Sequence, residues 1–265
     1  MGARLLRRWV AQPLTQLAPL EWRQEQVSRY VEDTVRRGEL REVLKNIGDI
    51  ERLVNRVLQG VARPDDLRRL RDGLRTLPRV AALVDDSLFP NMEAIDDDLT
   101  SAFDVCADAL DLLERSICEE GGDKGDGIER PPQPAIRTGY DAELDAVMTT
   151  LTTLHDELHR WEEREREQTA IKSLKITCHK GGWVIVTAKS TPGHLIPVTY
   201  HRVPGGTSDD RWTTYELQEH ETLLQRNRAR LQELERTALA RVIADVAAHK
   251  QQLLGAARTL AEIDV

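Results

Sequence analysis

Apolar residues recur every three or four positions along most of the chain, a spacing typical of amphipathic helices. The clearest example begins at Tyr140 and ends at about Gln168, where the apolar positions are Leu144, Val147, Leu151, Leu154, Leu158 and Trp161. Their period is close to 3.5, the period of a two-helix supercoil. From about Thr214 to Asp264 a second series carries Leu217, Leu224, Leu231, Leu234 and Ala238. We therefore predict two long antiparallel helices, with Leu151 and Leu154 facing Leu231 or its neighbours.

Between these two helices the pattern changes to that of strands and turns. Ile176–Val186 and Pro197–Trp212 contain β-branched residues, Gly pairs and Pro, which favour short strands joined by turns. A helix of about 29 residues is about 43 Å long, so we expect this β unit far from the rest of the protein. The predicted fold is mainly α: a helical core with long antiparallel lever helices that carry a small β clamp at their tip.

The rest of the chain predicts a helical core. Asp49 is a suitable cap for one helix, Gly60 a suitable end for it, and Pro64 a suitable first residue for the next. The predicted helices are 3–11, Glu21–Val35, Glu39–Leu44, Ile50–Gln59, a helix from Pro64 to about Val84, and Asn91–Cys118. Gly, Pro and acidic residues make Glu119–Gly139 a loop that we expect to be mobile. The predicted domains are a core (1–139), an outgoing helix (140–171), the β unit (172–217) and a return helix (218–265).

The uneven distribution of charge changes what the composition suggests about partners. The 265 residues have a formal net charge of −8, which by itself disfavours a nucleic-acid partner. Fifteen acidic residues lie between Asp85 and Glu129, against Arg115 and Lys124. Residues 171–215 instead carry six Lys and Arg residues against Asp209 and Asp210. Because a polyanion responds to the local patch rather than to the total charge, the β unit is the candidate binding surface.

Three cysteines without a CxxC pair, Cys106, Cys118 and Cys178, favour a reduced, cytoplasmic protein. The sequence has no apolar run of 18 residues, so we expect no membrane span. It also lacks phosphate-loop, dinucleotide-binding, HExxH and GxSxG motifs, and we expect no enzymatic activity.

Two other features of the β unit allow more than one interpretation. A zinc site can be imagined from Cys178, His179, His194 and His201, but their spacing matches no CxxC or HxxxH ligand pair. Trp183 and Trp212 could stack on nucleic-acid bases, although in so small a β unit aromatic residues more often form the core.

Five ordered motifs resemble the core and lever region of MutS, the DNA mismatch repair ATPase family. They are Gly2–Trp9 followed by Gln12-Pro13-Leu14, Asp49–Leu53 with Arg56, Gly60, Pro64, Asp66 and Leu67, Gly139–Asp145, Thr169–Lys175, and Leu260–Val265. The resemblance extends from residue 2 to residue 265. It implies a DNA-binding core and clamp, which hold the backbone of double-stranded DNA and relay the state of an ATPase domain to the clamp.

The same resemblance implies what the full-length protein would contain. A mismatch-reading N-terminal domain would precede this segment, and an ATPase domain that binds ATP and Mg²⁺ would follow Val265. We expect no cofactor in these 265 residues themselves. The family pairs two subunits, whereas we expect this segment to be a monomer.

The resemblance is weakest in the clamp. Arg202 and Arg211 match the family pattern, but Val203, Pro204 and Ser208 stand where the family has Lys, Gln and Asn. The candidate DNA-backbone contacts are Lys175, Lys180, Lys189, Arg202 and Arg211. The alternatives are pairing of Arg211 with Asp209 or Asp210, and a scaffold of a diverged MutS paralogue whose tip binds protein or has lost DNA binding.

Overall fold

The structure is a computed structural model that describes residues 1–84, 106–120, 133–179, 182–204 and 209–265. Within these residues the protein is mainly helical with one small antiparallel sheet, as the sequence predicts. The helices are α1 (Gly2–Ala11), α2 (Leu17–Glu32), α3 (Thr34–Asn46), α4 (Ile50–Leu58), α5 (Pro64–Leu83), α6 (Ala107–Ser116), α7 (Ala142–Thr169), α8 (Tyr215–Ala248) and α9 (Lys250–Asp264). The strands are β1 (Lys175–His179), β2 (Gly182–Ala188), β3 (His201–Val203) and β4 (Asp209–Thr213), with a 3₁₀ turn at Gly193–Leu195.

The chain divides into two compact units. The first contains Met1–Glu119 and Leu239–Val265, and the second contains Glu120–Ala238. Helices α1–α6 and α9 therefore belong to the first unit, while α7, the sheet and most of α8 belong to the second.

Helix α4 lies at the centre of the first unit. Its residues Ile50, Leu53, Val54 and Val57 are at most 2% exposed, because spacings of three and four place them on one helical face. They pack where α4 contacts α5 and α9. Burying each of these side chains contributes about 1.5–3 kcal/mol, so this face is a main source of the unit's stability.

The ends of α4 and α5 form as the sequence predicts. The carboxylate of Asp49 accepts a hydrogen bond from the Arg52 amide at 3.2 Å, which caps the N-terminus of α4. Gly60 adopts a φ of +69° after α4 ends, a conformation that favours glycine. Pro64 is the first residue of α5, where a missing amide hydrogen is harmless.

Two helix boundaries differ from the prediction. Asp33 separates α2 from α3 and accepts a hydrogen bond from the Arg36 amide at 2.9 Å, whereas the sequence predicted a helix continuing to Val35. The single helix predicted from about Thr214 to Asp264 is divided at His249 into α8 and α9. In both places a local capping or turn geometry interrupts an apolar pattern that continues on either side.

A buried arginine joins α5 to the chain after α6. Arg71 is 1% exposed, and its guanidinium donates to the Ile117 carbonyl at 3.2 Å and to Glu119 at 2.7 Å. Arg75, one turn later, donates to Glu114 and Glu119, and these bonds raise the pKa of Arg75. Hydrogen bonding to acceptors makes the buried charge tolerable.

In the second unit, α7 and α8 bury the predicted apolar series except Val147, which is half-buried. Leu151, Leu158 and Leu224 are fully buried, and Leu154 is 8% exposed. An ion pair joins Glu143 of α7 to Arg230 of α8, and Glu235 accepts a hydrogen bond from the Ala135 amide.

These two contacts occur in opposite chain order, as antiparallel helices require. Arg230 contacts the first turn of α7.

Some predictions concern residues outside the described part of the chain. They include the first part of the Asn91–Cys118 helix and most of the loop Glu119–Gly139. Among the helices that the structure describes, none is long and apolar enough to cross a membrane.

Candidate functional site

The four strands form an antiparallel sheet in the order β1-β2-β4-β3. Paired residues of neighbouring strands lie on the same face. One row across the sheet therefore contains Lys175, Val186, Arg211 and Val203, and the adjacent row contains Ile176, Ile185, Trp212 and Arg202. We call the face of the Lys175 row the outer face and the face of the Ile176 row the inner face.

The inner face forms the core of the β unit. Ile176, Ile185 and Trp183 are at most 3% exposed, and the Trp183 ring meets His155 of α7 edge-on at a centroid distance of 6.4 Å. The indole nitrogen of Trp212 donates to the hydroxyl of Thr187 at 3.0 Å. Trp183 is thus part of the core, as the alternative to base stacking predicts, whereas Trp212 is half-buried.

The outer face brings two of the predicted cations together. Lys175 on β1 is exposed and Arg211 on β4 is half-buried, and Val186 of β2 lies between them in the row. Two strand spacings separate the Lys175 and Arg211 backbones by about 10 Å. Lys189 follows the end of β2 and is exposed. This face can contact neighbouring phosphates of one polyanion.

The structure separates Arg202 from this pair. Arg202 belongs to the inner-face row, near the edge of the sheet, and forms an ion pair with Asp210 at 2.6 Å. Asp210, one of the two acidic residues considered as partners for Arg211, is thus paired with Arg202. The Arg202 side chain is 69% exposed, and an exposed pair of this kind contributes little to stability. Lys180, the remaining candidate, lies outside the described residues.

Helix α7 holds the sheet through polar side chains that sequence reasoning missed. Glu162 accepts a hydrogen bond from the Ile176 amide at 2.8 Å, and Arg166 donates to the Leu174 carbonyl at 3.1 and 3.2 Å. Glu165 accepts from the Tyr200 hydroxyl at 2.6 Å. Burial of the phenol, together with this carboxylate, raises the pKa of Tyr200 above its ordinary value. The sequence shows these residues only within a run of charges, which is typical of a solvated helix face.

The geometry also bears on the zinc alternative. Cys178 belongs to β1 and His201 to β3, the two edge strands, which are about 14 Å apart at three strand spacings. Cys178 lies on the inner face and His201 on the outer face. Among the residues that the structure describes, no group of three or more His, Cys, Asp or Glu side chains is placed to hold a metal ion.

Comparison with known proteins places the whole chain in one family. The model of MutS domain III matches residues 1–265. A DNA mismatch repair protein MutS from Chloroflexus aurantiacus is 37% identical over the full chain, which covers 29% of that relative. MutS proteins from Thermotoga petrophila and Roseiflexus sp. are 33% and 29% identical over the full chain, which covers 32% and 34% of them.

The chain therefore spans about a third of the length of the curated relatives it matches. Since the domain model matches every residue, the chain belongs to the MutS domain III family.

Proposed function

We propose that this chain is the DNA-binding core and clamp region of a MutS-type mismatch repair ATPase. In this proposal the sheet holds duplex DNA through contacts to the sugar-phosphate backbone, and α7 and α8 are lever helices that relay the state of an ATPase domain. The chain itself has no catalytic role. Family membership and the names of the relatives support this assignment.

The observation that carries DNA binding is the pair of cations on the outer face. Lys175 and Arg211 flank Val186 there, while the inner face packs toward α7. Phosphate contacts position a protein on DNA without reading its sequence, and Lys and Arg side chains on one face of a sheet, with backbones about 10 Å apart, suit that task. Arg202 contributes less in this proposal because Asp210 already offsets its charge.

The lengths of the two long helices support the relay. Helices α7 and α8 have 28 and 34 residues, which correspond to about 42 and 51 Å. Helix α8 contributes residues to both compact units without a break. A stiff continuous element of this kind can transmit rotation, and the two-subunit assembly of the family would apply to the full-length protein.

Titration of duplex DNA into single alanine variants tests the interface. Lys175→Ala and Arg211→Ala should each reduce the salt dependence of binding by about 0.9 in the log–log slope, the value expected for one lost phosphate contact. Arg202→Ala is the matched control, since it removes the same charge from the other face of the same sheet. Equal behaviour of all three variants would contradict this interface.

A protein-binding or DNA-free role is the second candidate. The Arg202–Asp210 pair reduces the free positive charge of the sheet, and Val198 before β3 is 99% exposed. No salt-dependent binding of duplex DNA by the unmodified chain would favour this candidate, because phosphate neutralisation always depends on salt.

A further inference from the structure

Strand β1 is at the edge of the sheet, because β2 is its neighbour in the strand order and α7 lies on its other side. An edge strand presents unpaired amide and carbonyl groups, which attract other strands unless something covers them. In β1 the Ile176 amide and, just before the strand, the Leu174 carbonyl are both bonded by α7 side chains. The edge is therefore covered over this segment.

The covering side chains are Glu162 and Arg166, one helical turn apart and ion-paired to each other. The glutamate accepts from an amide and the arginine donates to a carbonyl, which is the pattern of donors and acceptors that a further strand would offer. Glu162 is 18% exposed and Arg166 is 36% exposed, so water competes only partly for these bonds. Neighbouring Glu165 adds a hydrogen bond to Tyr200, just before β3.

We propose that Glu162 and Arg166 are positioning residues that replace a missing strand at the β1 edge and fix Lys175 for DNA contact. Lys175 stands between the two bonded backbone groups, Leu174 and Ile176. Holding both neighbours fixes the backbone of Lys175 and directs its side chain to the outer face, which lowers the entropy lost on binding. The role of Lys175 rests on the proposed function, whereas the covering of the edge does not.

Amide hydrogen exchange tests the covering of the edge without DNA. Glu162→Ala should speed exchange of the Ile176 amide about five-fold, as expected when one ordinary hydrogen bond is lost. Glu163→Ala is the matched control, because Glu163 is the exposed next residue of α7 and carries the same charge. Equal Ile176 exchange in the two variants would overturn the proposal.

A second pair of variants distinguishes a local effect at β1 from general unfolding. Arg166→Met keeps an unbranched apolar stem but removes the guanidinium, and with it both bonds to the Leu174 carbonyl. It should loosen β1 as Glu162→Ala does, with unchanged exchange in α8. Arg164→Met, on an exposed position of the same helix, should leave β1 protected. Loss of protection throughout the second unit, rather than at β1, would contradict a local role.

Coupling to Lys175 tests the positioning role. Glu162→Ala should weaken duplex DNA binding relative to Glu163→Ala, and it should add little once Lys175 is already alanine. Combined with Arg211→Ala its effect should be additive, since that side chain is two strands away. If Lys175→Ala weakens binding and Glu162→Ala does not, positioning fails while the proposed function stands. If Lys175→Ala has no effect, the proposed role of Lys175 fails, and the exchange experiment still decides whether the edge is covered.

Discussion

Asp49 combines two tasks at one residue. Its carboxylate caps α4 and also accepts hydrogen bonds from the Arg4 guanidinium at 2.7 and 2.8 Å. Partial burial opposes ionisation, but the bonds from Arg4 and Arg52 and the charge of Arg4 outweigh it, and the pKa of Asp49 lies below its ordinary value. The folded state therefore stabilises the ionised form.

This arrangement predicts an acid-sensitive contribution to stability. Because the folded pKa is lowered, the contribution of Asp49 is complete above the ordinary Asp value of about 3.9 and is lost as pH falls through the folded value. Asp49→Ala should cost about 1–2 kcal/mol at neutral pH through the lost cap. Asp49→Asn keeps a capping oxygen, so its deficit should be smaller and should vanish in acid. Urea unfolding at several pH values measures both, and a deficit of Asp49→Asn that grows in acid would contradict the argument.

Two glycines within helices give opposite expectations for the same substitution. A Cβ at Gly38 of α3 would meet nothing within 4 Å, whereas a Cβ at Gly73 of α5 would lie 3.1 Å from Cδ1 of the fully buried Ile50. Gly38→Ala should therefore stabilise the protein by about 0.5–1 kcal/mol. Gly73→Ala should destabilise it by about 1 kcal/mol, because overpacking outweighs the gain in helix propensity. The midpoint of thermal unfolding should rise for Gly38→Ala and fall for Gly73→Ala. A rise for both variants would show that α4 and α5 can move apart enough to accommodate the added methyl group.

At the scale of elements, two adjacent leucines of α8 allow the effect of burial to be measured with the same substitution at both positions. Leu224 is fully buried and Leu223 is 46% exposed. Leu224→Ala should cost about 2–4 kcal/mol, through lost contacts and the remaining cavity. Leu223→Ala should change the free energy of unfolding by less than about 0.5 kcal/mol. Denaturant titration of the two variants provides the measurement, and equal losses would mean that α8 does not present the predicted face to its partner.

The sequence predicts elements better than it predicts their contacts. The 3–4 spacing of Leu151, Leu154 and Leu158 determines which face of α7 is buried, because helical geometry is local. The register against α8 is different. It depends on contacts such as Glu143 with Arg230, which join residues far apart in the sequence, so the spacing of leucines alone does not determine which residues of α8 face Leu151.

In the candidate site too, local features can be predicted from the sequence, whereas contacts between distant residues cannot. That the β unit is basic is visible in the composition, but whether a given cation lies on the outer face depends on the strand register, where a shift of one residue reverses every side chain. The sequence alone therefore could not show that Arg202 and Arg211 lie on opposite faces of the sheet. Likewise Glu162 and Arg166 look like any solvated charges, since their role arises only from the edge of β1 beside them.

At the scale of the whole molecule, the distribution of charge matters more than its sum. The chain carries a net charge of −8, yet residues 171–215 contain six Lys and Arg against two Asp. At physiological ionic strength charges are screened beyond about 8 Å. The acidic residues between Asp85 and Glu129 therefore weaken binding at the sheet only where they come within that distance, and a local cationic surface can function in an acidic protein.

This surface should bind duplex DNA weakly, with strong dependence on salt and none on pairing errors. If three or four cations neutralise phosphates, the log–log slope of affinity against salt should be about −3 to −4, with a dissociation constant of about 10⁻⁴–10⁻⁶ M. Because backbone contacts carry no base information, a duplex with one mismatch should bind within about two-fold of the perfect duplex. The double variant Lys175→Ala, Arg211→Ala should make the slope less negative by about 2, as expected for two lost phosphate contacts. Fluorescence anisotropy with both duplexes at several salt concentrations tests these expectations together. A clear preference for the mismatch would require a base-reading contact in this chain and would contradict a surface that binds the backbone alone.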